Sequence, residues 1–251
     1  MEYAPLAALG IMLARPAMLI STAPVFGGAF APAQVRIGLT FLLALSMLPT
    51  TPMPAIGSSV VIVLIIAREM AIGLSIGLAI RALVAGAEMA GHLTATQLGF
   101  TYGAVVDPQS GVRNNVLAVF YGNIALVTFF AIDGHHALIR AMAHSYVQMP
   151  IGAGGVDESL VRSVMQMLGV VFVMGVRFAM PVIIVMLVTE LAMGLISRSA
   201  PMLNLQALAM PVRVVIGLIV MASIIPAAPA VVRRFSSVVL DMGITMAGAF
   251  R

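Results

Sequence analysis

Hydrophobic positions in this chain come in long runs rather than in alternation, and proline and glycine punctuate them. Six apolar regions stand out: Ala4 to Phe26, Gly38 to Leu48, Ser58 to Ala87, Val116 to Ile132, Val164 to Ile196 and Leu205 to Val232. No period-2 pattern is long enough for barrel strands, so the runs predict helices. A simple bilayer span takes about 20 residues. The second region reaches about half that length, and the third and fifth about one and a half times it. Half-length hairpins and overlong, tilted or kinked helices fit this unevenness, and both require protein neighbours. Pro49, Pro52 and Pro54 close one region, Pro150 closes another, and Pro226 with Pro229 breaks the end of the sixth. Pro181 removes a helical hydrogen bond inside the fifth region and predicts a kink there. After the loop Gly152 to Gly155, Asp157 reads as an N-cap and Glu158 stands four residues before Arg162, an exposed helix start. No internal repeat is visible, so an inverted-repeat transporter gains no support.

One polar, glycine-punctuated insert interrupts the pattern: Ala95 to Asn115, ATQLGFTYGAVVDPQSGVRNN. Polar backbone at membrane depth survives only where it is buried in protein or lines a water-filled path. The insert is therefore a candidate gate or lining, set against the plainer reading of a solvent-exposed loop between helices.

Charges also fall inside the apolar regions: Arg68, Glu69, Arg81, Glu88, Arg177 and Glu190. Each costs about 2.5–3.5 kcal/mol at the bilayer centre unless it has a partner or water. Neighbours on a helix point about 100° apart, so Arg68 and Glu69 are not expected to face each other. Arg81 and Glu88 share a face but lie about 10 Å apart along the axis. Partners for Arg68, Glu69, Glu88, Arg177 and Glu190 are thus expected on other helices or other subunits, which marks them as candidate subunit-interface charges. Arg15, Arg81 and Arg177 can instead extend their heads to the membrane surface, a route that a short carboxylate lacks. Gly73 and Gly77, one turn apart, permit close helix approach. The 20 methionines suit ordinary packing more than a gasket.

Composition narrows the class. The chain is 61% hydrophobic and 9% charged, with a mean hydropathy of +1.12, against roughly 25% charged in soluble domains. That reads as an all-α integral membrane protein, one domain over 1–251. The 13 basic residues are all arginine. They are spread singly, which argues against nucleic acid. Only Arg233 and Arg234 are adjacent, a positive-inside anchor after the last apolar stretch. Cysteine is absent, which removes disulfides and thiolate metal sites. The start Met1-Glu2-Tyr3 lacks a basic n-region, and Arg15-Pro16 interrupts the first run, so the first segment is expected to stay attached.

Catalytic chemistry is hard to find. Glu88 and His92, spaced i, i+4, lack a nearby third ligand, and His135 and His136 should diverge on a helix, so no metal site is expected. There is no Ser-His-Asp arrangement, phosphate loop or nucleotide fingerprint, and hence no expected cofactor or catalytic residue. A rival class remains: a proton-coupled small-solute transporter with Glu88, His92 and Glu190 as its relay.

Four blocks in register resemble one family. They are Arg15-Pro16-Ala17-Met18-Leu19 with Pro24-Val25-Phe26-Gly27, Pro32 and Arg36; Gly99-Phe100 with Asp107-Pro108 and Gly111; Asp133-Gly134-His135-His136-Ala137-Leu138-Ile139-Arg140-Ala141-Met142 with Ser145-Tyr146 and Pro150-Ile151-Gly152; and Glu190-Leu191-Ala192-Met193-Gly194-Leu195-Ile196-Ser197-Arg198 leading into Ala200-Pro201-Met202-Leu203-Asn204 and Pro211. Together they resemble the FliR family of flagellar export-gate proteins over nearly the whole chain. The family also contains the SctT subunits of virulence-type secretion systems, but the third block and Met149-Pro150-Ile151-Gly152 resemble the flagellar branch more. Met202 departs from the family's usual polar residue there.

The resemblance implies a helical, pore-forming hetero-oligomer with FliP-like and FliQ-like subunits in the bacterial inner membrane, at the flagellar basal body. Unfolded flagellar proteins would pass through it, and this chain would be conduit and gate rather than engine. The family's central loop acts as a plug, and here it matches Gln97 to Asn114. Gln97, Gly99, Phe100, Tyr102, Gly103, Asp107, Pro108 and Gly111 are the expected gate residues. The aromatics would fill the lumen, the glycines would permit tight turns, and Asp107-Pro108 would fix a bend.

Overall fold

The computed structural model describes residues 4–24, 26–27, 31–47, 59–100, 115–152, 159–199 and 205–250. Every regular element among them is helical: α1 (Ala4–Thr22), α2 (Ala33–Met47), α3 (Ser59–Leu98), α4 (Val116–Ala131), α5 (Gly134–Gln148), α6 (Ser159–Ser199), α7 (Leu205–Ile224), a single 3₁₀ turn (Ile225–Ala227) and α8 (Ala228–Gly248). Among the described residues, three stretches are long and apolar enough to cross a membrane: Val60–Leu98, Val161–Ser199 and Ala209–Gly248. The pair α4 and α5, bent by 72°, counts as a fourth if it is one broken span.

The uneven lengths expected from the pattern are present. Helices α3 and α6 have 40 and 41 residues, about 60 Å at 1.5 Å per residue, or twice the hydrocarbon thickness. Tilts of up to about 40° cannot absorb that excess, so parts of both helices must pass neighbours or project. Helix α6 continues through Pro181, and the break at Pro226 takes the form of the 3₁₀ turn.

Several boundaries differ from the expectation, among them the start of α2, at Ala33 rather than Gly38. Helix α3 runs on to Leu98, so Thr96 and Gln97 are helical and the insert begins at Gly99. Helix α5 lies outside all six apolar regions, because its polar residues dilute the signal. The sixth apolar region ends at Val232 in the sequence pattern, whereas helix continues through Arg233-Arg234 and α8 carries on to Gly248.

The chain forms two compact units. One comprises Met1–Leu83, Phe129–Gly169 and Arg234–Arg251; the other comprises Val84–Thr128 and Val170–Arg233. In the first, α1 lies on α2 and meets α3 along the small residues foreseen in the sequence. A Cβ at Gly73 would collide with the backbone carbonyl of Arg15, and one at Gly77 with the side chain of Thr22. Gly243 of α8 approaches α3 so closely that a Cβ there would lie 2.8 Å from that of Ala79. Leu19, Ile72, Ile76, Leu138 and Met142 fill the core between these contacts and are fully buried.

The second unit is a set of reciprocal notches. Met174 of α6 fills the space beside Gly86 of α3, with Sδ 2.9 Å from a would-be Cβ, and Met89 of α3 does the same at Gly175 of α6. These methionines pack into the notches, Met174 fully buried and Met89 partly so, since an unbranched thioether adapts to irregular gaps. Leu98 similarly sits over Gly217 of α7. Large apolar side chains such as Leu187, Leu191, Leu195 and Ile219 remain more than half exposed.

Candidate functional site

Arg15 organises the first unit. The approach permitted by Gly73 and Gly77 lowers α1 onto the α3 face that also carries Glu69, since 69, 73 and 77 are successive i, i+4 positions. Arg15 and Glu69 are both fully buried there, 2.7 Å apart. Arg15 Nε donates to Glu69 Oε2 at 2.8 Å, Nη1 to Ser145 Oγ at 2.9 Å and Nη2 to the Met149 carbonyl at 3.0 Å. The guanidinium also lies 4.0 Å from the centre of the Tyr146 ring. Arg15 therefore does not extend to a surface: its charge is neutralised inside the chain.

Arg68 joins the same cluster. Its Nη1 lies 3.5 Å from Glu69 Oε1, its Nε donates to the Phe250 carbonyl at 2.7 Å, and Nη1 donates to the Pro150 carbonyl at 3.2 Å. Neighbouring Cβ vectors do diverge, as the sequence suggests, but the long arginine side chain bends back and closes the gap. One carboxylate and two guanidiniums thus tie α1, α3, α5, the turn at Met149-Pro150 and the end of the chain together. Ser145, Tyr146 and the Met149 carbonyl were not singled out by reading charges. Their signal is the coincidence of an arginine, a glutamate and two small residues at one helical spacing.

The remaining candidate charges lie in the second unit. Glu190 on α6 is 3.4 Å from Arg213 on α7, and both are partly exposed. Glu88 rests over Gly122, where a Cβ would lie 3.1 Å from its Cγ, and it makes no ion pair among the described residues. Arg177 is exposed. His92 Nδ1 lies 3.4 Å from Asn115 Nδ2. Glu190 is therefore engaged with an arginine rather than with Glu88 or His92, which leaves the proton-relay reading without support from geometry.

The two helices that flank the insert in the chain are clamped together. A Cβ at Gly91 of α3 would collide with the Leu117-Ala118 backbone of α4. Thr94 donates to the Tyr121 hydroxyl at 3.4 Å nearby. Helix α3 ends at Gly99, whose φ of 86° only glycine adopts readily. The Phe100 amide bonds to the Ala95 carbonyl at 3.0 Å and the Gly99 amide to the Thr96 carbonyl at 3.2 Å, the paired bonds of a Schellman stop. Helix α4 starts at Asn115, whose Oδ1 accepts from the Leu117 amide at 3.0 Å, an N-cap. Gln97 is part-buried on the last turn of α3 and Phe100 is 51% exposed just beyond it. Tyr102, Gly103, Asp107, Pro108 and Gly111 lie outside the described residues, as do Asp157, Glu158 and Met202.

At the 72° corner the expectation for the histidine pair fails. Asp133 has left-handed angles, φ 60° and ψ 27°, and a Cβ at Gly134 would overlap the Phe129 ring. In this first turn of α5 the His135 and His136 rings approach to 4.1 Å between centroids instead of diverging.

The family described as Bacterial export proteins, family 1, matches residues 6–238. The chain is 30% identical over 225 residues to the flagellar biosynthetic protein FliR of Pectobacterium carotovorum subsp. carotovorum, covering 89% of this chain and 86% of that one. It is 28% identical to the FliR protein of Escherichia coli (strain K12), over 85% and 82% of the two chains. With that of Bacillus subtilis (strain 168) the identity is 24%, over 92% and 91%.

Proposed function

Because this chain belongs to the FliR family of bacterial export proteins, it serves as a subunit of the flagellar protein export gate, and we propose that its 95–115 segment is the plug. It is a membrane-embedded component of the export apparatus. The finer reading puts it in the inner membrane at the basal body, assembled with FliP-like and FliQ-like subunits around a path for unfolded flagellar proteins. The plug reading is supported by one arrangement above all. Both ends of the polar insert are held on a helix pair clamped at Gly91, with a glycine stop before it and an exposed aromatic at its root. A rigid frame with a polar, glycine-bearing segment between its posts can close a hydrated path and yield to cargo. The exposed apolar faces of α6 and α7 then meet lipid and partner subunits, and the Glu190–Arg213 pair offers polar contacts at that border.

Deleting Phe100 to Val106 tests the plug. The expected result is a rise in ion conductance across membranes carrying the assembled gate, with secretion retained or loosened. Unchanged conductance together with normal secretion defeats the reading. Crosslinks from an arrested export substrate to positions 97–114 would separate a conduit from a purely structural scaffold.

A further inference from the structure

We propose that Asp133, His135 and His136 form a binding site for a divalent transition-metal cation of the zinc type, at the corner between α4 and α5. The three side chains each bring a ligand atom within 4.8 Å of the other two. His136 Nδ1 and Asp133 Oδ1 are 3.2 Å apart. Two ligands held 2.0–2.1 Å from a tetrahedral metal lie about 3.3 Å from each other, so this pair already has the spacing of one edge of the site. The two imidazole rings are tilted by only 38° and lie close enough to share one ion. His135 Nδ1 is buried and has no hydrogen-bond partner, an orphaned ring nitrogen whose lone pair a bound cation would satisfy.

The backbone holds this arrangement. Asp133 sits at positive φ, a conformation that costs most residues about 1–2 kcal/mol and aspartate less. Gly134 beside it is obliged by the Phe129 ring. The Phe130 ring, 5.4 Å from that of His135, covers one side of the cluster. Its other side is open: the Asp133 and His136 side chains are 73% and 57% exposed. Two imidazoles and one carboxylate suit zinc, cobalt or nickel and leave further positions for water. The partial positive charge at the start of α5 opposes a cation, and the Asp133 carboxylate offsets it. The rival role for these groups is an Asp133–His136 ion pair that binds nothing.

The test uses the full chain, purified in detergent on a tag without histidine and stripped with chelator. Titration with Zn²⁺ in a calorimeter is expected to find one ion per chain. The double variant H135A/H136A should bind at least tenfold more weakly, Asp133→Asn about tenfold more weakly, and H92A/H144A as the wild type does. Cobalt should give a tetrahedral absorption spectrum that the first two variants lose. If H135A/H136A does not fold, His136→Gln takes its place, with helix content and elution position as the check. Equal zinc uptake by a folded H135A/H136A or His136→Gln chain overturns the site, as does a folded wild type that takes up none.

Discussion

Replacing Arg15 probes the structure where its energetics are most concentrated. Arg15→Met leaves Glu69 fully buried without its closest counter-charge, the Arg68 Nη1 standing farther off at 3.5 Å, and it strips donors from Ser145 Oγ and the Met149 carbonyl. Removing one partner of a buried pair costs about 3–5 kcal/mol, because the other charge stays behind. Glu69→Leu leaves Arg15 in the same position and should cost a similar amount. The double variant R15M/E69L removes both charges. What it still loses is two hydrogen bonds at about 1 kcal/mol each, the contact with Tyr146, worth about 0.5–2 kcal/mol, and the longer Arg68–Glu69 contact, worth up to about 1 kcal/mol. Its cost should therefore be about 3 kcal/mol, well below the sum of the singles, with a coupling of at least about 2 kcal/mol. The assay is helix content against the mole fraction of SDS in mixed micelles, extrapolated linearly to zero denaturant. A single variant costing less than about 1 kcal/mol, or a double variant equal to the sum, would refute the view that Arg15 and Glu69 form a mutually neutralising pair.

Two further outcomes follow from packing and exposure. Gly73→Ala should destabilise by about 1–3 kcal/mol, since the clash with the Arg15 backbone outweighs a helix-propensity gain of about 1 kcal/mol; Gly38→Ala, which meets nothing within 4 Å, should stabilise by up to about that gain in the same SDS titration. Glu190→Gln should change the stability of the isolated chain by no more than about 1 kcal/mol, because its pair with Arg213 is partly exposed; co-purification of gate partners from native membranes should fall, and intact co-purification would remove Glu190 from the interface.

Much of the helical frame is legible from one strand of text because each helix satisfies its own backbone, so runs of apolar residues and the stops between them are local properties. The short α2, the overlong α3 and α6, and the break at Pro226 follow from that, and so does the glycine stop at 99 once its geometry is known. The close approach at Gly73 and Gly77 was foreseeable too, because two missing side chains one turn apart form a notch whatever fills it. Helix α5 escaped because its histidines, arginine and glutamine dilute an apolar signal that a bent pair does not need. The tertiary structure alone decided which groups share a notch. Arg15 turned inward because α1 lies in the α3 groove beside Glu69, Arg68 reached its own neighbour because both are drawn into that cluster, and the two histidines converged because a left-handed aspartate starts their helix. Periodicity describes the faces of one helix; the groups that Arg15 meets stand 54 to 134 positions away, and only packing brings them together.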